Sequence, residues 1–174
     1  YSVDIKSSQP LLHSLLYSDN DKEKTKYLSV VQKDFWDYIN QAAGSPYNLT
    51  VPEEKDLLKE MMWSQVFYGW KEEKPKPNAM FARTFEREFP NLWKAIQGAK
   101  GRGNGPLPRE MQFLEADQVM SVVGKLASEP YPLITIHDAI VTTKSGIDGV
   151  KQALLTEFSQ WGLTPSLSVK QLTA

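Results

Sequence analysis

The chain has 174 residues, 41% of them hydrophobic and 11% aromatic, and a formal net charge of −1. This length suits one domain, or one domain with an added lobe, and the near-zero charge restricts any nucleic-acid-binding surface to a local patch. The absence of cysteine excludes disulfides, thiolate metal ligands and cysteine nucleophiles. We find no signal peptide and no apolar run near the ~20 residues of a membrane span, so we expect no membrane partner.

The first part of the chain predicts one strand and three helices. Residues 1–5, YSVDI, alternate in polarity as a strand does, and a turn with a short helix follows over 7–18. Residues 21–43 carry apolar side chains at helical spacing, and Gly44 ends this helix. Thr50 and Glu53 have the spacing of a capping box, which predicts a helix from there to about Gly69.

The rest of the chain predicts a sheet with further helices. Two short helices meet at Phe89–Pro90, and a Gly/Pro-rich segment over 101–108 predicts a mobile loop. A long helix over 109–128 leads to a hairpin with strands 132–136 and 139–143, then to a helix over 146–162 and a strand over 165–172. The order predicts an α+β fold, in which helices back a small antiparallel sheet and a helical segment is inserted.

Two acidic residues, Asp4 and Asp138, indicate a metal-assisted reaction. His137 and Asp138 interrupt an apolar run, which a two-residue hairpin tip explains without any function. Asp4 lies near the end of the first strand, and the tip of a neighbouring hairpin would bring the two carboxylates together, where they repel. A divalent cation removes this conflict, because Mg²⁺ binds two carboxylates with water and phosphates. The pattern therefore favours metal-assisted phosphoryl transfer, with the two metals ~4 Å apart.

Basic residues indicate where phosphates could bind. Lys55 and Lys59 lie one helical turn apart, and Trp63 and Phe67 continue the same stripe. Ammonium groups bind phosphates and an aromatic ring stacks on a base, although solvated lysines and core aromatics are the more common explanation of such a stripe. Residues 71–109 carry nine Lys or Arg against four Glu, a local excess of +5 that suits either a nucleic-acid strand or plain solvent.

Four sequence segments carry a resemblance to a known family, and they occur in this order along the chain: VDIKSSQP, KDLLKEMMWSQVFYG, MQFLEADQVM and ITIHDAIV. With them, the chain resembles the palm and fingers of family A DNA polymerases and the related single-subunit phage-type RNA polymerases. The resemblance implies a palm over 1–18 and 105–174 and a helical fingers-like insertion over 19–104. It also implies a chain cut from the C-terminal part of a longer protein, with a thumb on an upstream polypeptide segment.

The resemblance implies a role for each matching residue. Asp4, Asp138 and the Ile5 carbonyl would hold Mg²⁺, with Mn²⁺ as a substitute, and Lys59 would assist catalysis. The nucleotide-binding residues would be Lys55, Lys59, Phe67, Tyr68 and Gln9, with Gln9 near the sugar. The nucleic-acid-binding residues would be His137 at the primer terminus, Gln112 in the minor groove and Gly69 at the nascent base pair.

Two residues and one interval depart from the family pattern. Ala139 stands where the family has Glu or Ser, and Gln9 stands where the DNA enzymes have Glu. The interval from Lys59 to Tyr68 is one residue longer than the resemblance implies, so Phe67 and Tyr68 both stay candidates for base stacking.

The implied function is template-directed DNA synthesis from nucleoside triphosphates on a primer–template, in the cytoplasm of a bacterium or a phage-infected cell. An RNA polymerase and a non-catalytic nucleic-acid-binding module are the alternatives. A two-metal nuclease is a weaker one, because Glu115 and Asp117 face different sides of their helix.

Overall fold

The computed structural model describes residues 1–18, 20–69, 71, 74–100 and 107–172. The chain divides into two compact units, a sheet unit (Tyr1–Leu12 and Met111–Ala174) and a helical unit (His13–Glu110). The described residues form seven α-helices and a four-stranded antiparallel sheet, which confirms the predicted α+β class. The palm and fingers boundaries predicted at 18/19 and 104/105 lie near, but not at, these junctions.

The sheet unit contains strands β1 (Ser2–Lys6), β2 (Ile134–Ile136), β3 (Ala139–Val141) and β4 (Ser166–Lys170) in the order β2-β3-β1-β4. Helix α1 (Ser8–His13) follows β1, and α6 (Leu107–Lys125) and α7 (Ile147–Ser159) complete the order. The buried side chains of the sheet and of these helices form one apolar core, which includes Val3, Ile5, Ile140, Val122, Val150, Leu154 and Phe158. Burial of these branched and aromatic side chains is the main driving force for folding of this unit.

The register of the sheet decides which side chains share a face. Asp4 lies opposite Ala139 of β3 and opposite Ser168 of β4. Two positions along the same pair of strands, Ser2 lies opposite Lys170 of β4. Because directly paired residues and residues two apart point to the same side of a sheet, these side chains lie on the face opposite to Val3 and Ile5.

The helical unit contains α2 (Lys22–Ala42), α3 (Pro52–Met62), α4 (Met80–Glu88) and α5 (Pro90–Lys100). Its core is aromatic, with ring centroids 5.0 Å apart for Tyr27 and Phe89 and 5.6 Å apart for Phe67 and Phe85, both edge to face. Such pairs stabilise a core beyond the area that they bury. The predicted break at Phe89–Pro90 is confirmed, since α5 begins at Pro90.

Two features of the helical unit differ from the prediction. Helix α2 is interrupted at Asp34, which has extended backbone angles and whose carboxylate caps the N–H groups of Trp36 and Asp37. The capping box predicted at Thr50 is wrong, because Val51 is the N-cap and makes no side-chain cap bond. The Thr50 hydroxyl instead donates to the Asn48 side chain at 2.8 Å, so it is not available to α3.

Candidate functional site

Asp4 was expected near the end of the first strand but is the middle residue of β1, because the strand continues to Lys6, and its carboxylate has two partners in the sheet unit. Ser2 Oγ donates to Asp4 Oδ1 at 2.6 Å, and Lys170 Nζ lies 3.2 Å from Asp4 Oδ2. The Lys170 side chain is 70% exposed, whereas that of Asp4 is 22% exposed. Exposed ion pairs of this kind contribute about 0.2–1 kcal/mol, so Lys170 is a weakly held partner that a cation could replace.

Asp138 lies at the turn between β2 and β3, as predicted. His137, the preceding turn residue, is exposed and has a positive φ of 54°. The Asp138 carbonyl accepts the Ile5 N–H at 3.4 Å, which places the hairpin tip beside β1. Burial raises the pKa of the Asp138 carboxyl, and the nearby charge of Asp4 raises it further. The hairpin tip therefore brings Asp138 beside β1, where the charge of Asp4 acts on its carboxyl.

Glu115 of α6 is a third acidic group here, although no motif in the sequence indicates a role for it in this site. Gln9 Nε2 donates to Glu115 Oε2 at 2.7 Å. Burial raises the pKa of the Glu115 carboxyl, and the charge of Asp138 raises it further. In the sequence, the only indication of a role for Glu115 was its position three residues after Gln112, on the same side of the predicted helix. Its approach to Gln9 of α1 is visible only in the folded chain. Asp117, by contrast, is exposed, which agrees with the expectation that the two acids face different sides.

The donor set fits a cation that brings its own remaining ligands. Mg²⁺ binds through one or two protein carboxylates and completes six-fold coordination with water and phosphate oxygens. Asp4 and Asp138 supply two carboxylates whose mutual repulsion a cation would relieve. Within the described residues, no group of three or more acidic or histidine side chains could hold a metal alone. A bound cation would thus depend on substrate and water oxygens for its other contacts.

The helical unit contains a shallow cleft of about 630 Å³ at the end of α3. Its lining residues are Asp56, Lys59, Glu60, Trp63, Ser64, Tyr68 and Gly69. The Trp63 and Tyr68 rings stack in parallel, with centroids 5.2 Å apart and planes 12° apart. Lys59 Nζ lies 2.9 Å from Asp56 Oδ1, and this partner lowers the pKa of the Asp56 carboxyl. The cleft thus combines an aromatic surface with one ammonium group and two carboxylates.

A π turn over Trp63–Phe67 ends this helix and shapes the cleft. The Tyr68 N–H donates to the Trp63 carbonyl at 2.7 Å, five residues back instead of four. A π turn accommodates one more residue than an α turn does. The continuous α-helix predicted to Gly69 is therefore corrected to an α-helix over Pro52–Met62 followed by a π turn over Trp63–Phe67.

The two stacking candidates have different surroundings. Phe67 is fully buried, and its ring centroid lies 4.4 Å from that of His13 and 5.1 Å from that of Trp63. This ring therefore belongs to the core of the helical unit, and the base-stacking role of Phe67 stays a prediction. Tyr68 is half-buried and lines the cleft, so it is the aromatic ring that a ligand could reach.

The other predicted site residues lie on the surface or beside the cleft. Lys55 is half-buried on α3, and Gln112 of α6 is exposed. Gly69 lines the cleft, where a Cβ would overlap the Ser64 carbonyl. The roles of these residues in ligand binding stay predictions. Parts of the basic segment over 71–109, and most of the loop predicted over 101–108, lie outside the described residues.

Comparison with known proteins gives no match: no family model, curated protein or solved structure is significantly similar to the chain. Of the helices in the described ranges, none combines the length and the apolar content that crossing a membrane requires.

Proposed function

We propose that the chain is the core of a template-directed nucleotidyltransferase of the DNA polymerase type, with the sheet unit as palm and the helical unit as fingers. One observation carries this proposal. In the register of β1 and β3, Asp4 lies directly opposite Ala139, the residue after Asp138, and its charge acts on the Asp138 carboxyl. A fold that brings together two half-buried carboxylates 134 positions apart in the sequence favours cation binding over a structural role.

In this proposal, the carboxylates of Asp4 and Asp138 hold Mg²⁺, which would activate the primer 3′-hydroxyl and stabilise the charge of the leaving pyrophosphate. The Asp4 side chain is presented by a central strand, and Asp138 is presented by a tight hairpin turn. Both elements are anchored by backbone hydrogen bonds, so the carboxylates are held in place before any ligand arrives. In this proposal, the two carboxylates that would bind the cation are thus carried by rigid parts of the sheet unit.

The cleft of the helical unit supports the nucleotide part of the proposal. Lys59 and Tyr68 line the same cleft, so one ligand could contact an ammonium group and an aromatic ring together. The Lys59–Asp56 pair is solvent-exposed, with the side chains 37% and 73% exposed. A triphosphate could therefore exchange with Asp56 at little cost. Asp56 and Glu60 are negative, so we expect Mg²⁺-complexed rather than free triphosphate to bind.

Primer extension with an alanine variant of each carboxylate tests this function. We expect Asp4→Ala and Asp138→Ala to reduce nucleotide incorporation at least about 100-fold, since each removes a charge that stabilises the transition state. Asp117→Ala, which changes an exposed acid of the same unit, is the matched control and should incorporate nucleotides normally. Unchanged incorporation in either active-site variant rejects the proposal.

A non-catalytic nucleic-acid-binding module is the second candidate, and the Lys170–Asp4 ion pair favours it. An ammonium group already neutralises Asp4, as a protein without a metal would require. This alternative predicts that primer–template binds equally well with Mg²⁺ or with EDTA, and that Asp4→Asn leaves binding unchanged. Calorimetric titration with primer–template under both conditions distinguishes the two candidates, because the enzyme should bind more tightly with Mg²⁺.

A further inference from the structure

We propose that Lys170 is a resident counter-cation of the carboxylate site, whose ammonium group holds Asp4 until a divalent cation displaces it. The inference rests on the proposed function, because it concerns the same carboxylates, but it assigns a role to a residue that no sequence motif indicated. It makes Lys170 a positioning residue that sets the affinity of the site for cations.

The register of the sheet carries the first step. β4 pairs with β1 along its whole length, and Ser2 lies opposite Lys170 while Asp4 lies opposite Ser168. Lys170 is therefore the diagonal neighbour of Asp4 on the same face of the sheet, within reach of a long side chain. The 3.2 Å separation of Lys170 Nζ from Asp4 Oδ2 shows that the side chain uses this position.

The charges carry the second step. The ammonium of Lys170 is the positive charge paired with Asp4, and Asp138 lies beside the same strand, because its carbonyl accepts the Ile5 N–H. A divalent cation bound by both carboxylates would therefore compete with this ammonium group for Asp4. Other groups near the two acids are Glu115, which adds negative charge, and the imidazole of His137.

Exposure carries the third step. The Lys170 side chain is 70% exposed, so its ammonium group can leave Asp4 and become fully hydrated without unfolding any element. Asp4 is 22% exposed and stays in place in the central strand. The exchange therefore requires movement of one flexible side chain only, and a divalent cation must compete with a tethered monovalent one.

The test replaces Lys170 with a side chain of similar length and no charge. We expect Lys170→Met to bind Mg²⁺ roughly 5-fold more tightly than the wild type in calorimetric titration, because no ammonium group has to be displaced. Without divalent cation, the same variant should melt about 2–4 °C lower, because the repulsion between Asp4 and Asp138 is no longer compensated. Adding Mg²⁺ should restore the melting temperature.

Three controls make the outcome specific. Lys170→Arg retains the charge and should behave as the wild type, and Lys144→Met removes an exposed lysine elsewhere in the sheet unit and should change neither measurement. Adding Asp4→Asn to Lys170→Met should recover the melting temperature without cation.

The measurements distinguish failure of the role proposed for Lys170 from failure of the proposed function. If Asp138→Asn abolishes Mg²⁺ binding while Lys170→Met binds Mg²⁺ as the wild type does, the role of Lys170 is overturned and the proposed function stands. If neither the wild type nor Lys170→Met binds Mg²⁺, both are overturned.

Discussion

Glu88, at the end of α4, accepts hydrogen bonds from Lys26 Nζ at 3.1 Å, Tyr38 Oη at 2.7 Å and Arg87 Nε at 3.1 Å. These partners, the Tyr38 hydroxyl first, lower the pKa of the Glu88 carboxyl to about 2 against an ordinary value of 4.5. The ammonium of Lys26 also lies 5.0 Å from the centroid of the Phe89 ring. A single carboxylate thus ties α2 to α4 in the helical unit.

Because the pKa of Glu88 is lower in the folded state, its ionised form stabilises the fold above pH 4.5, and this contribution is lost as the pH falls toward 2. We expect Glu88→Gln to lower the free energy of unfolding by about 2 kcal/mol at pH 7, since Lys26 and Arg87 are partly screened by solvent. Urea denaturation should show that this difference disappears near pH 2. Glu86→Gln on the same helix is the control, and an equal loss at both pH values would contradict the account.

At the scale of elements, the π turn over Trp63–Phe67 depends on Gly69. A Cβ at this position would overlap the Ser64 carbonyl, a backbone atom that cannot move aside. The turn also sets the position of Tyr68, whose ring stacks on Trp63 in the cleft. The absence of a side chain at Gly69 therefore permits the turn that shapes the proposed nucleotide-binding surface.

We expect Gly69→Ala to destabilise the protein by about 1–3 kcal/mol, because the added methyl group forces the backbone of the turn apart. Gly98→Ala is a matched control, since Gly98 lies in α5 and a Cβ at this position would meet open space. That change should stabilise the helix by about 0.5–1 kcal/mol. Denaturant titration measures both, and equal stability of the two variants would show that the turn tolerates a side chain.

Local signals in the sequence predicted many elements correctly. The hairpin tip at His137–Asp138 follows from apolar runs on both sides, and the helix break at Phe89–Pro90 follows from the restriction that proline places on the preceding residue. The capping box failed because Asn48 competes for the Thr50 hydroxyl, and a motif of four residues does not include that competitor. Predictions based on neighbouring residues succeed where no other group competes.

The contacts that define the site depend on the whole molecule, and the sequence did not predict them all. Asp4 and Asp138 could be paired from the expected order of strands, whereas the Lys170–Asp4 pair depends on the register of β4 against β1. The approach of Glu115 to Gln9 likewise depends on how α6 packs in the sheet unit. Register and helix packing are properties of the folded chain, and no short motif encodes them.

The central claim, that Asp4 and Asp138 together bind a divalent cation, is tested most directly by calorimetric titration of the whole chain with Mg²⁺. We predict saturable binding that Asp138→Asn weakens at least about 10-fold, because one of two charged ligands is removed, while Asp117→Asn binds as the wild type does. Equal Mg²⁺ affinity in the wild type and Asp138→Asn, or no binding in either, would contradict the claim.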